Sequence, residues 1–171
     1  ALTSEKRQGD MLQALARVKA PGLPRVHLAI AGSGELEAEL QREAQRLKVA
    51  ARAHFLGFRR DLRALWAAAD LASFASEAEG LCTALVEAQG AGLPAVITRA
   101  GGMLEVVEDG VTGLTAPVGA VAELAAAWTR LAGDAELRQR MSQAARQRAR
   151  TRFSAQAMAA KMLGLYRGFH N

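Results

Sequence analysis

Cysteine is nearly missing from this sequence, proline is scarce and aromatic residues are few. One cysteine, Cys82, occurs in 171 residues, which excludes an internal disulfide and fits a reducing compartment. Four prolines and 16 glycines without a period exclude a collagen-like chain, and 50% hydrophobic content excludes a disordered one. No apolar run approaches the roughly 18 residues that would span a bilayer, and no signal-peptide pattern opens the chain, so a soluble, cytoplasmic protein is expected. Asp-x-Asp is absent, and His27, His54 and His170 have no cysteine or carboxylate at metal-ligand spacing, so no metal is expected. A length of 171 residues suits one domain with one core.

What is present begins with charge. The net charge is +5, and seven of the 22 Lys and Arg residues lie between Arg130 and Arg152, mostly as an Arg-x-Arg ladder over residues 138–152. Only Phe153 accompanies them, so base stacking lacks support and no nucleic-acid partner is expected. An ordinary solvated helix face explains the ladder; contact with an anionic membrane surface is the alternative.

Short apolar runs alternate with amphipathic stretches. Strands are expected over residues 26–31, 54–57, 71–75, 95–98 and 113–116, with residues 1–3 reading as the end of another. Helices are expected over 5–19, from Leu36 to Leu47 in steps, and over 61–69, 81–91 and 104–107. From residue 121 to 169 only helical signals occur, broken at Gly133-Asp134 and near Phe153-Ser154, with Ser154 as an N-cap. This alternation predicts an α/β fold, a Rossmann-like doubly wound parallel sheet, with a helical C-terminal extension. The division is residues 1–120 for the core and 121–171 for the extension of the same domain. A sheet that opens on three strand residues reads as part of a larger protein.

In such a sheet ligands bind beyond the carboxyl ends of the strands, where helix N-termini aim amides at them. The candidate turns are residues 3–6, 32–35, 57–59, 76–82 and 98–102. Gly32-Ser33-Gly34 is neither a Gly-x-Gly-x-x-Gly motif, since residue 37 is Glu, nor a P-loop. The strongest constellation is residues 76–87, where Glu79 precedes Glu87 by eight residues. If fully helical, that spacing rises about 12 Å and turns by about 80° net, so both carboxylates face broadly one way. One could hold a sugar diol and the other a ribose, with the amides of Gly80, Leu81 and Cys82 toward phosphate between them. A surface helix with a dipole-stabilising Glu79 and a solvated Glu87 is the plain alternative. Against it, Glu87 lies among Leu85, Val86 and Ala88, where an unused carboxylate is costly. Cys82 at a helix start is a conceivable reactive thiol but reads more simply as a small packing residue.

These segments, in this order, resemble the C-terminal, nucleotide-sugar-binding domain of retaining GT-B glycosyltransferases of family 4, the group 1 transferases. The resemblance runs from about Thr3 to Phe153. Glu5-Lys6 is similar to the family's Glu-Lys-Gly segment, Ala31-Gly32-Ser33-Gly34 to its Gly-x-Gly turn, and Phe55-Leu56-Gly57-Phe58 to its Phe-x-Gly segment. Residues 76–87 resemble the Glu-x7-Glu motif, followed by Gly92-Leu93-Pro94, Gly101-Gly102-Met103-Leu104-Glu105 and Asp109-Gly110-Val111-Thr112-Gly113.

The resemblance implies a domain that holds a nucleoside diphosphate sugar without a metal or other cofactor. Carried over by position, Glu87 would bind the ribose hydroxyls and Glu79 the transferring sugar. The amides of Gly80, Leu81 and Cys82, with Thr83 beside them, would meet phosphate and sugar. Lys6 would neutralise the leaving diphosphate, Gly57 and Phe58 would border the base, and Gly32 and Gly34 would line the donor. Transfer would be retaining, with no covalent nucleophile, to a carbohydrate or lipid-linked acceptor held by an N-terminal domain absent from this chain.

The sequence also departs from the family pattern. Glu79-Gly80-Leu81-Cys82 replaces Glu-Gly-Phe-Gly, so the Cys82 side chain could crowd the donor, and no arginine stands on the first strand. A sugar-nucleotide epimerase half and a non-catalytic sugar-nucleotide-binding module are the competing readings.

Overall fold

The computed structural model describes residues 1–18, 22 and 25–168, so Lys19, Phe169 and His170 lie outside the described residues. In chain order the elements are α1 (Gln8–Arg17), β1 (Leu28–Ala31), α2 (Glu37–Arg46), β2 (Ala53–Gly57), α3 (Leu62–Ala68), β3 (Ala72–Phe74) and α4 (Thr83–Ala91). Then follow β4 (Ala95–Thr98), α5 (Met103–Val106), β5 (Gly113–Ala116), α6 (Val121–Gly133), α7 (Ala135–Arg152) and α8 (Ala155–Gly168).

All strand pairs are parallel, in two ladders: β1 with β2, and β3-β4-β5 with β4 in the middle. Strand β4, Ala-Val-Ile-Thr, is buried along its whole length because it is covered on both faces. Val96 points into a core with α1 and α6, including Leu12, Leu15, Leu124, Trp128 and Leu131. Its neighbours Ala95 and Ile97 point the other way, to Leu85 of α4 and to Met103 and Val106 of α5. That period-two split places helices on both sides of the sheet, as in a doubly wound fold. Gly113 lets β5 approach β4, since a Cβ there would strike the Ala95 carbonyl.

The expectations differ from the structure at the front of the chain. Residues 1–3 form no strand ladder; Leu2 donates its N–H to the Ser33 carbonyl and accepts from the Leu36 N–H instead. The expected continuous sheet is therefore divided into two ladders among the described residues. The helix expected from residue 5 begins at Gln8, behind a 3-10 turn at Ser4–Lys6. Arg7 separates them in the left-handed conformation, φ 49°, where an uninterrupted helix cannot pass. Helix α4 begins at Thr83 rather than 81, so Glu79 precedes the helix that carries Glu87.

Helices α7 and α8 follow the expected breaks. The Asp134 carboxylate accepts from the Leu137 N–H at 2.8 Å, and the Ser154 hydroxyl from the Ala157 N–H at 3.1 Å. The arginine ladder has a structural use. Arg138 donates to the carbonyls of Leu131 and Ala132, Arg146 to that of Ala91, and Arg148 to those of Glu105 and Val106. Each ties α7 to the end of another helix, where carbonyls lack helical partners.

Candidate functional site

The ends of the strands bring three segments together. The 3-10 turn at Ser4–Lys6 meets the loop after β3: the Glu77 N–H donates to the Glu5 carbonyl at 2.9 Å, and Arg7 Nη1 donates to Glu77 at 3.2 Å. Arg7 also pairs with Asp10 at 2.8 Å, and chiefly that bond, despite burial, holds its guanidinium above its ordinary pKa. The third contact is the shortest, Lys6 Nζ donating to Glu79 Oε1 at 2.6 Å. Ser76 Oγ donates to the same oxygen at 2.8 Å.

The loop is fixed from behind by Gly101 and Gly102. The Gly102 N–H donates to the Glu79 carbonyl at 3.1 Å, and a Cβ at either glycine would strike the carbonyl of Glu79 or Gly80. The turn that carries Glu79 thus rests on backbone, which is why two glycines follow β4.

Glu79 has a side chain 12% exposed. Burial pushes its carboxyl up, but the hydrogen bonds from Lys6 and Ser76 and the Lys6 charge outweigh it and hold the carboxyl below its ordinary value. An ionised carboxylate beside an ammonium follows. Gly80 and Leu81 are exposed beside it, and among the described residues the amides of Gly80, Leu81 and Cys82 have no backbone acceptor. Cys82 is the N-cap of α4 without a side-chain cap bond, and Thr83 is the exposed first residue of that helix. The start of α4 therefore offers uncapped donors and the positive end of a helix dipole.

Cys82 corrects one expectation. Its side chain is buried with Leu85, Ile97, Met103 and Val106, so it points into the core and does not crowd the turn. Burial pushes its thiol up, which disfavours the thiolate a reactive cysteine needs.

Glu87 corrects another. It is exposed, on the side of α4 away from Leu85, Ala88 and Gln89, so no desolvation cost demands a use for it. It borders a groove between α3, α4 and α7 that Arg60, Arg63, Trp66 and Gln139 also line.

Gly57 ends β2 at φ 62°, and its carbonyl accepts from the Gly32 N–H at 2.8 Å, joining two candidate turns. Phe58 follows it, 72% exposed, on a loop pinned by the Arg59–Asp61 ion pair. Gly34 is tight for an internal reason: the space of a Cβ there is filled by the backbone of Leu2.

Three features were not legible from spacing: the Ser76 bond to Glu79, the Arg7 bridge, and a pairing of His27 with His54. Ser76 stands three residues before Glu79, a local signal that could have been used. The two imidazoles stack with Nδ1 of His27 and Nε2 of His54 2.9 Å apart. Among the described residues no group of three His, Cys, Asp or Glu could hold a metal ion.

A sequence model of the family described as glycosyl transferases group 1 matches residues 1–148. The chain belongs to this family. The glycogen synthase of Mycobacterium tuberculosis is 34% identical over 167 residues, 96% of this chain and 40% of its own length. The lipopolysaccharide core biosynthesis glycosyltransferase LpsE of Rhizobium meliloti is 31% identical over 148 residues, 86% of this chain and 42% of its own. Among solved structures, HepE of Anabaena in complex with UDP superposes with a TM-score of 0.89 at 29% identity, covering 98% of this chain and 46% of HepE. HepE in complex with UDP-glucose superposes with a TM-score of 0.87 at 31% identity, with the same coverage. This group 1 chain spans less than half the length of the relatives it matches.

Proposed function

We propose that this chain is the donor-binding part of a retaining, metal-independent glycosyltransferase that takes its sugar from a nucleoside diphosphate. The observation that carries the reading is the Lys6–Glu79 ion pair beside the uncapped start of α4. One cation and a row of free amides suit a diphosphate, and an oriented carboxylate suits sugar hydroxyls. Lys6 and the amides of Gly80, Leu81 and Cys82, with Thr83, bind the diphosphate and stabilise it as it leaves. Glu79 orients the sugar, Glu87 takes the ribose hydroxyls, Gly57 and Phe58 border the base, and Gly32 and Gly34 shape the wall. Lys6 supplies the positive charge that a metal would otherwise supply. The complexes of HepE with UDP and UDP-glucose support uracil as the first base to test.

The acceptor, carbohydrate or lipid-linked, is held by an N-terminal domain outside this chain, in keeping with relatives more than twice as long. The inward Cys82 removes the steric argument for a non-catalytic module. We place the enzyme in the cytoplasm with a peripheral membrane contact. No described helix is long and apolar enough to cross a membrane. Helix α8 exposes Met158, Met162, Leu163, Leu165 and Tyr166, carries the cations Lys161 and Arg167 and no acidic residue, and this exposed apolar surface with positive charge is what supports the contact with anionic lipid. Flotation with phosphatidylglycerol vesicles but not phosphatidylcholine vesicles supports that contact; equal recovery from both removes it.

Calorimetric titration with UDP, GDP, ADP and their sugar conjugates, with Glu87→Ala in parallel, tests the donor site. Binding of one nucleotide, weakened by roughly 1–3 kcal/mol in the variant, is the expected result. Binding that ignores Glu87 and Lys6 alike overturns the assignment.

A further inference from the structure

Both donors to the Glu79 carboxylate use one oxygen. Lys6 Nζ and Ser76 Oγ lie 2.6 and 2.8 Å from Oε1, and among the described residues no donor reaches Oε2. The two donors are held very differently. Lys6 sits on a flexible stem with its side chain 31% exposed. Ser76 is 2% exposed, and its carbonyl accepts from Thr98 Oγ1 at 2.5 Å, at the end of the fully buried strand β4. A lysine that turns to a bound diphosphate must leave Glu79. Ser76 cannot follow it, because β4 holds its backbone.

We propose that Ser76 is a positioning residue for Glu79: its hydroxyl keeps Oε1 in place while Lys6 exchanges the carboxylate for the diphosphate, leaving Oε2 to accept from a sugar hydroxyl. The inference rests on the donor-site reading above. A serine hydroxyl has one proton, and giving it to Glu79 leaves the oxygen no second donation to make. The carboxylate that loses its ammonium therefore keeps one fixed hydrogen bond, and with it its direction. Thr98 acts one step behind, fixing the backbone from which that hydroxyl projects. Sugar recognition is thereby separated from diphosphate recognition: Lys6 serves the second, and Ser76 acts only on the first.

The test compares UDP with UDP-glucose by calorimetry on the unsubstituted protein, Ser76→Ala and Ser76→Thr. A second readout follows the Glu79 side-chain carboxyl by carbon NMR across pH in the same proteins without ligand. Ser76→Ala is expected to leave UDP affinity within about twofold and to lower UDP-glucose affinity by about tenfold, the scale of one hydrogen bond to a charged group. It also moves the Glu79 titration to higher pH, and Ser76→Thr, which keeps a hydroxyl, restores both. A merely structural role would lower both affinities in parallel, and that result overturns the proposal while the donor site stands. An unchanged Glu79 titration in Ser76→Ala overturns it too, through the contact itself. If the unsubstituted protein binds neither ligand, the donor-site reading fails and the Ser76 role falls with it.

Discussion

The ammonium of Lys6 and the carboxylate of Glu79 lie 2.6 Å apart although 73 residues separate them in the chain. One belongs to the first turn of the molecule and the other to the loop after β3, and the Glu77–Glu5 backbone bond holds the two segments in register. If Lys6 serves a diphosphate, Lys6→Met weakens UDP binding by about 1.5–3 kcal/mol, the range for a hydrogen bond to a charged group. Raising the salt concentration then weakens binding less in the variant than in the parent, since one screened charge pair is gone. Calorimetry at two ionic strengths reads both effects, and an unchanged UDP affinity removes Lys6 from the site.

Glu79 also makes stability depend on pH. Its carboxyl titrates below the ordinary value in the folded chain, because the Lys6 and Ser76 bonds outweigh the opposing effect of burial. The folded state therefore binds its proton less readily than the unfolded chain, so the contribution is stabilising above the unfolded value of about 4.3. It disappears as pH falls from there through the folded value. Urea unfolding of the parent and of Glu79→Gln checks this. Their difference in stability is expected to be largest at neutral pH and to shrink below pH of about 4, and a difference that grows on acidification contradicts it.

Much of the architecture was readable because β4 is four residues with no charged side chain between two turn signals, and its neighbours repeat that pattern. Local signals also placed Ser154 and the break at Gly133-Asp134. What could not be read was fixed by distant partners. The left-handed Arg7 is stabilised by Asp10 and Glu77, and only one of those is near in sequence. Glu87 misled because α4 is apolar on most of its surface, so its sequence does not reveal which side faces solvent. Arg138, Arg146 and Arg148 looked like part of a solvated stripe because their acceptors are mostly backbone carbonyls, which leave no mark in a sequence, whereas Arg140, Arg150 and Arg152 are exposed as that reading expects.

Gly102, after β4, and Gly80, in the loop it supports, give a contrast at one contact. A Cβ at Gly102 would strike the Gly80 carbonyl, whereas one at Gly80 meets nothing within 4 Å. Gly102→Ala must push the Glu79–Leu81 backbone outward, at a cost of about 1–3 kcal/mol in stability, as for other overpacked sites. It also weakens UDP binding, because the displaced residues carry the free amides. Gly80→Ala leaves unfolding stability nearly unchanged. Denaturant unfolding of both variants decides the matter, and equal losses would mean that the loop does not rest on Gly102.

Arg148 separates the structural use of the ladder from a surface use. Its guanidinium donates to the carbonyls of Val106 and Glu105 at 2.9 and 3.0 Å and pairs with Glu108 at 2.9 Å, with its side chain only 17% exposed. Lysine carries the same charge but a single ammonium, which cannot span two carbonyls and a carboxylate as the planar fork does. If the ladder acts through charge at a membrane surface, Arg148→Lys should be silent. If it acts by tying α7 to the end of α5, Arg148→Lys should cost about 0.5–1.5 kcal/mol, the net scale of a hydrogen bond lost where the acceptors are partly exposed. We expect the loss of stability, with binding to anionic vesicles unchanged. For Lys161→Gln, on the exposed helix α8, we expect the reverse, with stability unchanged and vesicle binding weakened by up to about 1 kcal/mol. A silent Arg148→Lys would return the ladder to a role at the surface.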